Sequence, residues 1–242
     1  SASRDKDTVR AYLDAWASMD LDAMVRHQGD QVIVHNVNGT QVMAHSTAVL
    51  GGQPVNGKAK ITGLQYELFA EKGHVFAISS GLEDGKEFGR VEVFRLAGGK
   101  IVETWTSGTA AARWRWQPSS GAGRTEETRR VLRRWYEEMY RQGRFLVLAP
   151  QLCGPVFIRH EGKGTFTSTA EEHAARLQQL YGRRRNQPAP ASHNVLRRSF
   201  AEGDKVGFVG GQSRKFVQVW RVADGKFVES WWAGFTAQGV TW

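Results

Sequence analysis

The 242-residue sequence predicts an α+β protein built from two tandem copies of one small domain. Three internal matches support this prediction. The clearest pairs residues 91–105, VEVFRLAGGKIVETW, with residues 217–231, VQVWRVADGKFVESW, at an offset of 126 residues. Residues 32–36 match 157–161 at an offset of 125, and the helices that open the two halves match at 123 or 124. Because the matches keep one order at nearly constant spacing, they indicate a repeat.

In each half, helices come first and strands follow, which is the order of an α+β domain. Apolar residues share one face of a predicted helix over 8–19, and Asp20 suits the N-cap of a second helix over 21–27. A first strand is predicted over 32–35. Further strands are predicted near 60–72, 74–82, 87–96 and 100–107.

The second half repeats this order from Glu126 and adds one helix. This helix is predicted over 170–181, where Ser168 and Glu171 have the spacing of a capping box. Residues 117–123 are rich in Pro, Gly and Ser, which is typical of a connection between domains. The predicted domains therefore cover 1–112 and 124–242, with a linker over 113–123.

The hairpin strands carry bulky side chains on both faces. In the first repeat, Glu92 and Phe94 alternate with Val91 and Val93, and the same alternation recurs over 217–222. Successive side chains of a strand point to opposite faces of a sheet. We therefore expect one face to line the cone that a curved sheet forms around its helices. The other face should pack against the sheet of the other repeat, which gives an intramolecular pseudo-dimer.

Composition limits the kind of protein. The chain has no long apolar run of the kind that spans a membrane, so no membrane association is expected. The single cysteine, Cys153, excludes an internal disulfide and fits a reducing compartment. The polar N-terminus carries no hydrophobic signal segment. These features predict a cytoplasmic protein that acts as a monomer.

The positive charge is concentrated in the second half of the chain. Residues 1–112 contain 11 Lys and Arg against 13 Asp and Glu, whereas residues 113–242 contain 22 against 11. A solvated basic face is the simplest interpretation, and capture of an anionic or carrier-bound substrate near Arg183–Arg185 is an alternative. Nucleic acid is an unlikely partner, because aromatic residues do not alternate with the basic ones.

Residues 9–24, residues 29–36 and the hairpin 94–105 resemble the opening and closing segments of SnoaL-like polyketide cyclases and ketosteroid isomerases, members of the NTF2-like superfamily. The same pattern recurs in the second half. The resemblance implies two tandem cones, each with helices packed in a curved antiparallel sheet. The superfamily includes isomerases, cyclases, dehydratases, epoxide hydrolases and non-catalytic binders, so the fold does not select a reaction.

The resemblance implies three functional positions in each repeat. The oxyanion-binding tyrosine falls at Tyr12 and at Tyr136, or at Trp135 if the register shifts by one residue. The carboxylate base falls at Asn36 and at Glu161, and the protonated acid falls at Glu92 and at Gln218. Neither repeat keeps the full set, because neither Asn36 nor Gln218 can exchange a proton. The late aspartate of some SnoaL-like cyclases is not evident.

Two histidines stand beside the predicted base positions. His35 and His160 occupy equivalent places, and either proton transfer or a hydrogen-bonded place in the sheet is compatible with them. The other histidines, His173 among them, are expected to be structural or exposed. No histidine pair has metal-ligand spacing, so we expect no metal and no cofactor. Trp105, Trp220 and Trp231 are expected in the core or between the sheets, with one or two of them lining an aromatic pocket.

These observations favour a cofactor-independent acid–base enzyme, a cyclase, isomerase or dehydratase of a small apolar polyketide-like or terpenoid-like molecule. A non-catalytic binding or assembly module is the alternative. Proton transfer is predicted in the second repeat, with Glu161 as base beside His160, Tyr136 at the oxyanion and Gln218 as a further donor. In the first repeat, Tyr12, Asn36 and Glu92 would line a pocket in which His35 is the available base.

Overall fold

The computed structural model describes residues 1–45, 59–119, 121, 123–182, 192–211 and 213–240. The described elements of the first repeat are α1 (Ala2–Ala17), α2 (Leu21–Arg26), β1 (Gln28–Asn36), β2 (Gly39–Ala44), β3 (Ile61–Glu71), β4 (His74–Glu83), β5 (Lys86–Ala97) and β6 (Lys100–Thr106). As predicted, the Asp20 side chain caps α2 by accepting a hydrogen bond from the backbone N–H of Ala23.

The second repeat has the same order of strands and more helix. It contains α3 (Thr125–Arg134), which continues as a π-helical turn (Trp135–Tyr140), then α4 (Phe145–Leu152), β7 (Cys153–Glu161), β8 (Gly164–Thr169), α5 (Ala170–Tyr181), α6 (Ser192–Arg197), β9 (Ser199–Glu202), β10 (Lys205–Gly210), β11 (Phe216–Ala223) and β12 (Lys226–Trp232). The capping box of α5 uses Thr169 and Glu172, one residue later than the predicted Ser168 and Glu171, because the helix begins at Ala170.

The two sheets have equivalent topology. Each contains six strands, in the orders β2-β1-β6-β5-β4-β3 and β8-β7-β12-β11-β10-β9. The prediction of two tandem α+β units, each a sheet with its own helices, is therefore confirmed. One detail differs, because β1 runs parallel to β6 and β7 runs parallel to β12, while the other neighbouring strands are antiparallel. Each sheet is thus mixed rather than purely antiparallel.

The two sheets pack against each other through the faces predicted for this contact. Val91 and Val93 share one buried cluster with Val217 and Val219. The centre of this interface is not symmetric. Gly207 pairs with Val219 as Phe76 pairs with Val93, and a Cβ atom at Gly207 would overlap with the Phe76 ring. The aromatic ring of one repeat therefore occupies the space that the glycine of the other leaves.

Reciprocal polar contacts join the edge strands β3 and β9. Glu71 accepts a hydrogen bond from the backbone N–H of Ala201, and Glu202 accepts one from the backbone N–H of Ala70. Each carboxylate also pairs with a cation on the first helix of a repeat. Glu202 lies 2.6 Å from Lys6 Nζ, and Glu71 pairs with Arg129. Each repeat thus makes the same kind of contact to the other, as the two halves of a symmetric dimer do.

The segment predicted as a linker is part of the interface between the sheets. Trp114 and Trp116 are buried in the same cluster as the interface valines. The Trp114 indole N–H donates to the Glu161 carbonyl oxygen over 3.0 Å, and the Trp116 indole N–H donates to Glu67 over 2.8 Å. Through Trp114 and Trp116, this segment thus contacts both repeats.

Three basic residues of α3, Arg129, Arg130 and Arg134, lie in ion pairs with neighbouring carboxylates. Arg130 is 3.9 Å from Glu127, and Arg134 is 3.2 Å from Glu138. The run Arg183–Arg185 lies outside the described residues. In the part of the chain that the structure describes, no helix is long and apolar enough to cross a membrane.

Candidate functional site

The concave face of each sheet, covered by helices of the same repeat, forms a cone that can carry chemistry. We call first cone the concave face of β1–β6 with α1 and α2, and second cone the concave face of β7–β12 with α3 to α6. Phe94 belongs to the core of the first cone and Trp220 to that of the second. Because side chains alternate along a strand, Glu92 and Gln218 face the same cones as these rings.

The first cone contains a buried acid. Glu92 is 6% exposed, and burial raises the pKa of its carboxyl group, although Arg90 opposes the shift. Arg90 Nη1 lies 3.4 Å from Glu92 Oε1, and its guanidinium stacks over Trp16 at 4.9 Å. Glu92 is therefore a buried carboxyl group whose pKa is raised above its ordinary value, with a cation beside it that opposes the shift.

The predicted partners of Glu92 lie on the same side of the sheet. Tyr12 is buried on α1, and its ring meets the edge of Phe94 at a centroid distance of 5.7 Å. Asn36 is buried at the end of β1, where its Oδ1 accepts a hydrogen bond from the backbone N–H of Asn38 over 2.9 Å. The structure thus brings Tyr12, Asn36 and Glu92 to one cone.

Several buried donors in the first cone lack a protein partner among the described residues. They are the indole N–H of Trp16, the Nε–H of Arg90 and the hydroxyl of Ser79. Ser79 pairs with Arg90 across β4 and β5, so the two side chains share the concave face. Buried polar groups are nearly always hydrogen-bonded in native proteins. Donors left over beside a buried acid are consistent with a site for a polar group of a ligand.

The second cone has different chemistry at the equivalent positions. Glu161 is not isolated, because its Oε1 lies 2.8 Å from Arg159 Nη1 and 3.8 Å from Arg176 Nη2. The place of Glu92 is taken by Gln218. The second cone therefore has an ion-paired carboxylate, Glu161, where the first has the amide Asn36. It has the amide Gln218 where the first has the buried acid Glu92.

Ring contacts settle which residue of the second repeat corresponds to Tyr12. Trp135 lies 5.0 Å from Trp220, the counterpart of Phe94, as Tyr12 lies against Phe94. Tyr136 instead packs edge-on against Phe208 and stacks on Tyr140. Burial raises the pKa of the Tyr136 hydroxyl. The place of the oxyanion-binding tyrosine is thus taken by Trp135, the alternative register, and Tyr136 belongs to the aromatic core.

His35 and His160 do not face the cones. Of the two alternatives left open for them, the structure shows the hydrogen-bonded place in the sheet, and their assignment as catalytic residues of the cones is corrected. Adjacent residues of a strand point to opposite faces. His35 stacks on Trp105 at 5.2 Å and His160 stacks on Trp231 at 5.3 Å. Trp105 and Trp231 belong to the cluster between the sheets, which is one of the places expected for them, and they are therefore not the tryptophans that face a cone. Trp220 does face the second cone.

Each of these histidines belongs to a hydrogen-bonded chain of its own repeat, and the two chains contain the same residue types in the same order. His35 lies 2.8 Å from Thr40 Oγ1 and 2.9 Å from Glu103 Oε2, and Glu103 accepts from Arg95 over 2.7 Å. In the second repeat, His160 lies 2.9 Å from Thr165 Oγ1 and 2.8 Å from Glu229 Oε2. Glu229 in turn accepts a hydrogen bond from Arg221 over 3.0 Å. The repeated chain cross-links strands at the interface of the two sheets, outside both cones.

One residue of the second cone was not singled out by the sequence. His173 on α5 is 3% exposed, and neither ring nitrogen has a hydrogen-bond partner among the described residues. Its ring stacks on Trp135 at 5.8 Å and lies 4.6 Å from Phe157. The signal was present, because His173 shares the buried helical face of Ala170, Ala174 and Leu177.

Comparisons with known proteins give structural neighbours only. A comparison with protein-family models and one with curated proteins each found no match. Among solved structures, a protein from Kribbella flavida named as a candidate ketosteroid isomerase aligns at TM-score 0.38 and 10% identity, covering 49% of this chain and 84% of its own. An LEH-like epoxide hydrolase from M. tuberculosis aligns at TM-score 0.36 and 20% identity, with 44% and 83% covered.

An NTF2-like protein from Burkholderia xenovorans LB400 aligns at TM-score 0.37 and 13% identity, covering 46% of this chain and 92% of its own. Each of these three matches spans less than half of this chain and most of the other protein. Identities this low do not transfer an activity. The functional argument therefore rests on the side chains of the two cones.

Proposed function

We propose that the protein is a cofactor-independent acid–base enzyme for a small, largely apolar molecule, and that the first cone carries the reaction. The observation that supports this proposal is Glu92. It is a carboxyl group with a raised pKa, buried beside Arg90 on the concave face of the sheet. A general acid is most effective when its pKa approaches the working pH. Perturbed acids of this kind occur preferentially at functional sites.

The arrangement favours a reaction that begins with proton donation. Protonated Glu92 would give its proton to a substrate oxygen as the carbon–oxygen bond breaks and water leaves. Arg90 would stabilise the carboxylate that remains, and this carboxylate would then take a proton from the neighbouring carbon. The net change is loss of water, with Glu92 returned to its starting form. Asn36 cannot serve as a base, so dehydration by a single acid fits better than an isomerisation that needs a separate carboxylate.

Replacement of Glu92 by Gln tests the proposal. We expect Glu92→Gln to lower the turnover of aromatic β-hydroxy ketones by about 10²–10⁴-fold, the usual contribution of a general acid. Formation of the conjugated enone is followed by its ultraviolet absorption. The matched control is Glu87→Gln, an exposed carboxylate of the same strand. Because the reaction needs protonated Glu92, turnover of the unchanged protein should fall as pH rises through the raised pKa.

The parallel variant Glu161→Gln separates the two cones. If Glu161→Gln abolishes turnover while Glu92→Gln does not, the reaction belongs to the second cone and the proposal fails. Circular dichroism and thermal melting of both variants ensure that lost turnover is not lost folding.

A binding function without catalysis is the second candidate, and the second cone favours it. Gln218 replaces the acid, and Glu161 is held by two arginines. If small apolar molecules bind the protein but none is converted, and Glu92→Gln leaves their affinity unchanged, the binding module is the better description.

A further inference from the structure

The contact between Arg90 and Glu92 is looser than its sequence spacing requires. Arg90 Nη1 lies 3.4 Å from Glu92 Oε1, whereas Arg159, which also stands two residues before its carboxylate, lies 2.8 Å from Glu161. Hydrogen bonds between a guanidinium and a carboxylate are commonly about 2.7–2.9 Å long and often bidentate. The Nε–H of Arg90 is also buried without a partner among the described residues. Arg90 therefore makes less than full contact with the acid beside it.

Two aromatic rings also contact the Arg90 guanidinium. Its central carbon lies 4.9 Å from the Trp16 ring centre and 5.7 Å from that of Phe88, and both rings are buried. A cation within about 6 Å of a ring centre is attracted to the ring face, and tryptophan is the strongest partner. The ring beside Arg159, Phe166, is more distant than Trp16, at 5.5 Å, and it is 42% exposed. Arg90 is thus shared between a carboxyl group and a buried indole.

The periodicities of α1 and β5 bring these side chains together. Arg90, Glu92 and Phe94 are alternate residues of β5, so they share its concave face. Trp16 stands one helical turn after Tyr12 on α1, and both are buried. Because Tyr12 packs on Phe94 and Trp16 on Arg90, the helix places one aromatic ring at each end of this row. The position of Trp16 over Arg90 therefore follows from the packing of α1 on the sheet.

The charge that acts on the Glu92 carboxyl group is that of Arg90, which opposes the rise in pKa caused by burial. On the neighbouring strands, Glu92 pairs with the uncharged residues Ala77 and Thr106. The titratable group that α1 brings to this cone is Tyr12. A nearby opposite charge favours the ionised form of a carboxyl group. The distance of the guanidinium from Glu92 therefore affects which form the acid takes.

We propose that Trp16 is a positioning residue, which holds the Arg90 guanidinium back from a full ion pair with Glu92. The indole attracts the cation and so keeps the contact with the carboxyl group long. Glu92 then keeps its proton to a higher pH than a closely paired carboxyl group would. Trp16 acts through Arg90 and needs no contact with the substrate. This inference rests on the proposed function, which uses Glu92 as its acid.

The titration of Glu92 itself tests the proposal. NMR of protein labelled with carbon-13 at the glutamate Cδ atoms follows this titration without substrate, and the Glu92→Gln protein identifies the signal. We expect Trp16→Leu to move the midpoint to lower pH, because the released guanidinium can close on the carboxylate. Turnover at a fixed pH above the midpoint should then fall by about tenfold, since a closer opposite charge lowers a carboxyl pKa by about one unit or more. Turnover should recover as the pH is lowered.

Trp16→Phe is the milder change, because it keeps a ring of weaker attraction. It should move the midpoint in the same direction by less, and it decides the question if Trp16→Leu does not fold. Circular dichroism shows which variants are folded. An unchanged midpoint in the folded variants overturns the proposal.

Removal of the Trp16 ring would also lower the midpoint if it admitted water to Glu92, and an Arg90→Met background separates the two causes. In that background, Trp16→Leu should leave the midpoint unchanged, because no guanidinium remains to move. An equal shift with and without Arg90 overturns the proposal. The matched control is Trp135→Leu, which removes an equally buried ring from the second cone and should leave the Glu92 titration unchanged.

The titration and the turnover assay can fail separately. If Trp16→Leu shifts the titration through Arg90 but Glu92→Gln keeps full turnover, the proposed function fails and the positioning role of Trp16 stands. If Glu92→Gln abolishes turnover while the titration does not respond to Trp16, the positioning role fails and the proposed function stands.

Discussion

The two cones share one topology but differ in what their concave faces present. Ala77 pairs with Glu92 in the first sheet, and Phe208 pairs with Gln218 in the second. Phe208 is therefore the counterpart of Ala77. The first cone therefore holds a buried acid beside a small side chain. The second holds an amide beside a large ring, with an unpartnered histidine nearby. The two repeats therefore share a strand framework and differ in the polar groups that it carries.

The largest effect on stability is expected where the sheets meet asymmetrically. Phe76 is fully buried in the interface. Phe76→Ala should lower the free energy of unfolding by about 3–5 kcal/mol, because it leaves a cavity above Gly207 that neither sheet can close. Urea denaturation measures the change. Phe88→Ala, which removes a ring inside the first cone, is the comparison variant, because it leaves the interface between the sheets unchanged. A Phe76→Ala protein as stable as the unchanged one would mean that the two repeats do not support each other.

The repeated histidine chain allows the two halves to be compared directly. His160→Leu should cost about 3 kcal/mol, because it removes a partner of Glu229, whose side chain is 3% exposed. His35→Leu should cost roughly half as much, because its partner Glu103 is 16% exposed and water can replace the lost hydrogen bond. Denaturation curves give both values. Turnover of the folded fraction should persist in both variants, and its disappearance would restore these histidines as proton carriers.

His173 should make the stability of the second cone depend on pH. Its pKa is lowered to about 3 in the folded protein, whereas the unfolded chain has the ordinary value of 6.5. Between these values the unfolded chain binds a proton that the folded protein does not, so stability falls as pH falls. At about 1.4 kcal/mol per pH unit, the loss from about pH 6.5 to about pH 5 is ~2 kcal/mol. His173→Leu should lack this loss in parallel denaturation series, and identical slopes would contradict the assignment.

Glu161 should show the smallest effect. Its carboxylate is 20% exposed and already paired with Arg159. Glu161→Gln should change the free energy of unfolding by no more than about 1 kcal/mol, because water partly replaces the ion pair. Thermal melting and the turnover assay in parallel check this expectation. A large loss of turnover would reverse the roles assigned here to the two cones.

Much of the architecture could be predicted from the sequence because hydrophobic alternation determines it. The alternation of Glu92 and Phe94 with Val91 and Val93 predicted which face meets the helices and which meets the other sheet. The same rule, applied to the pair His160 and Glu161, separates the two side chains. Proximity in sequence had suggested one shared site.

Other parts of the site could not be predicted from local patterns. The placement of Trp135 rather than Tyr136 opposite Trp220 depends on tertiary packing, because the match between the repeats leaves the register open by one residue. The burial of Trp114 and Trp116 depends on both sheets being present at once. His173 was visible as part of a buried helical face, but its unpartnered nitrogens emerge only when its surroundings are assembled.

The fit of Phe76 over Gly207 also determines how the repeats can associate if they are separated. Two copies of the first repeat would bring two phenylalanine rings into the same space, and two copies of the second would leave a void between two glycines. The interface surface of each repeat therefore fits that of the other repeat better than it fits a second copy of itself. Expressed as separate polypeptides, the halves should form mixed pairs in preference to homodimers. Cutting the chain between the repeats would therefore not yield a symmetric pair from either half.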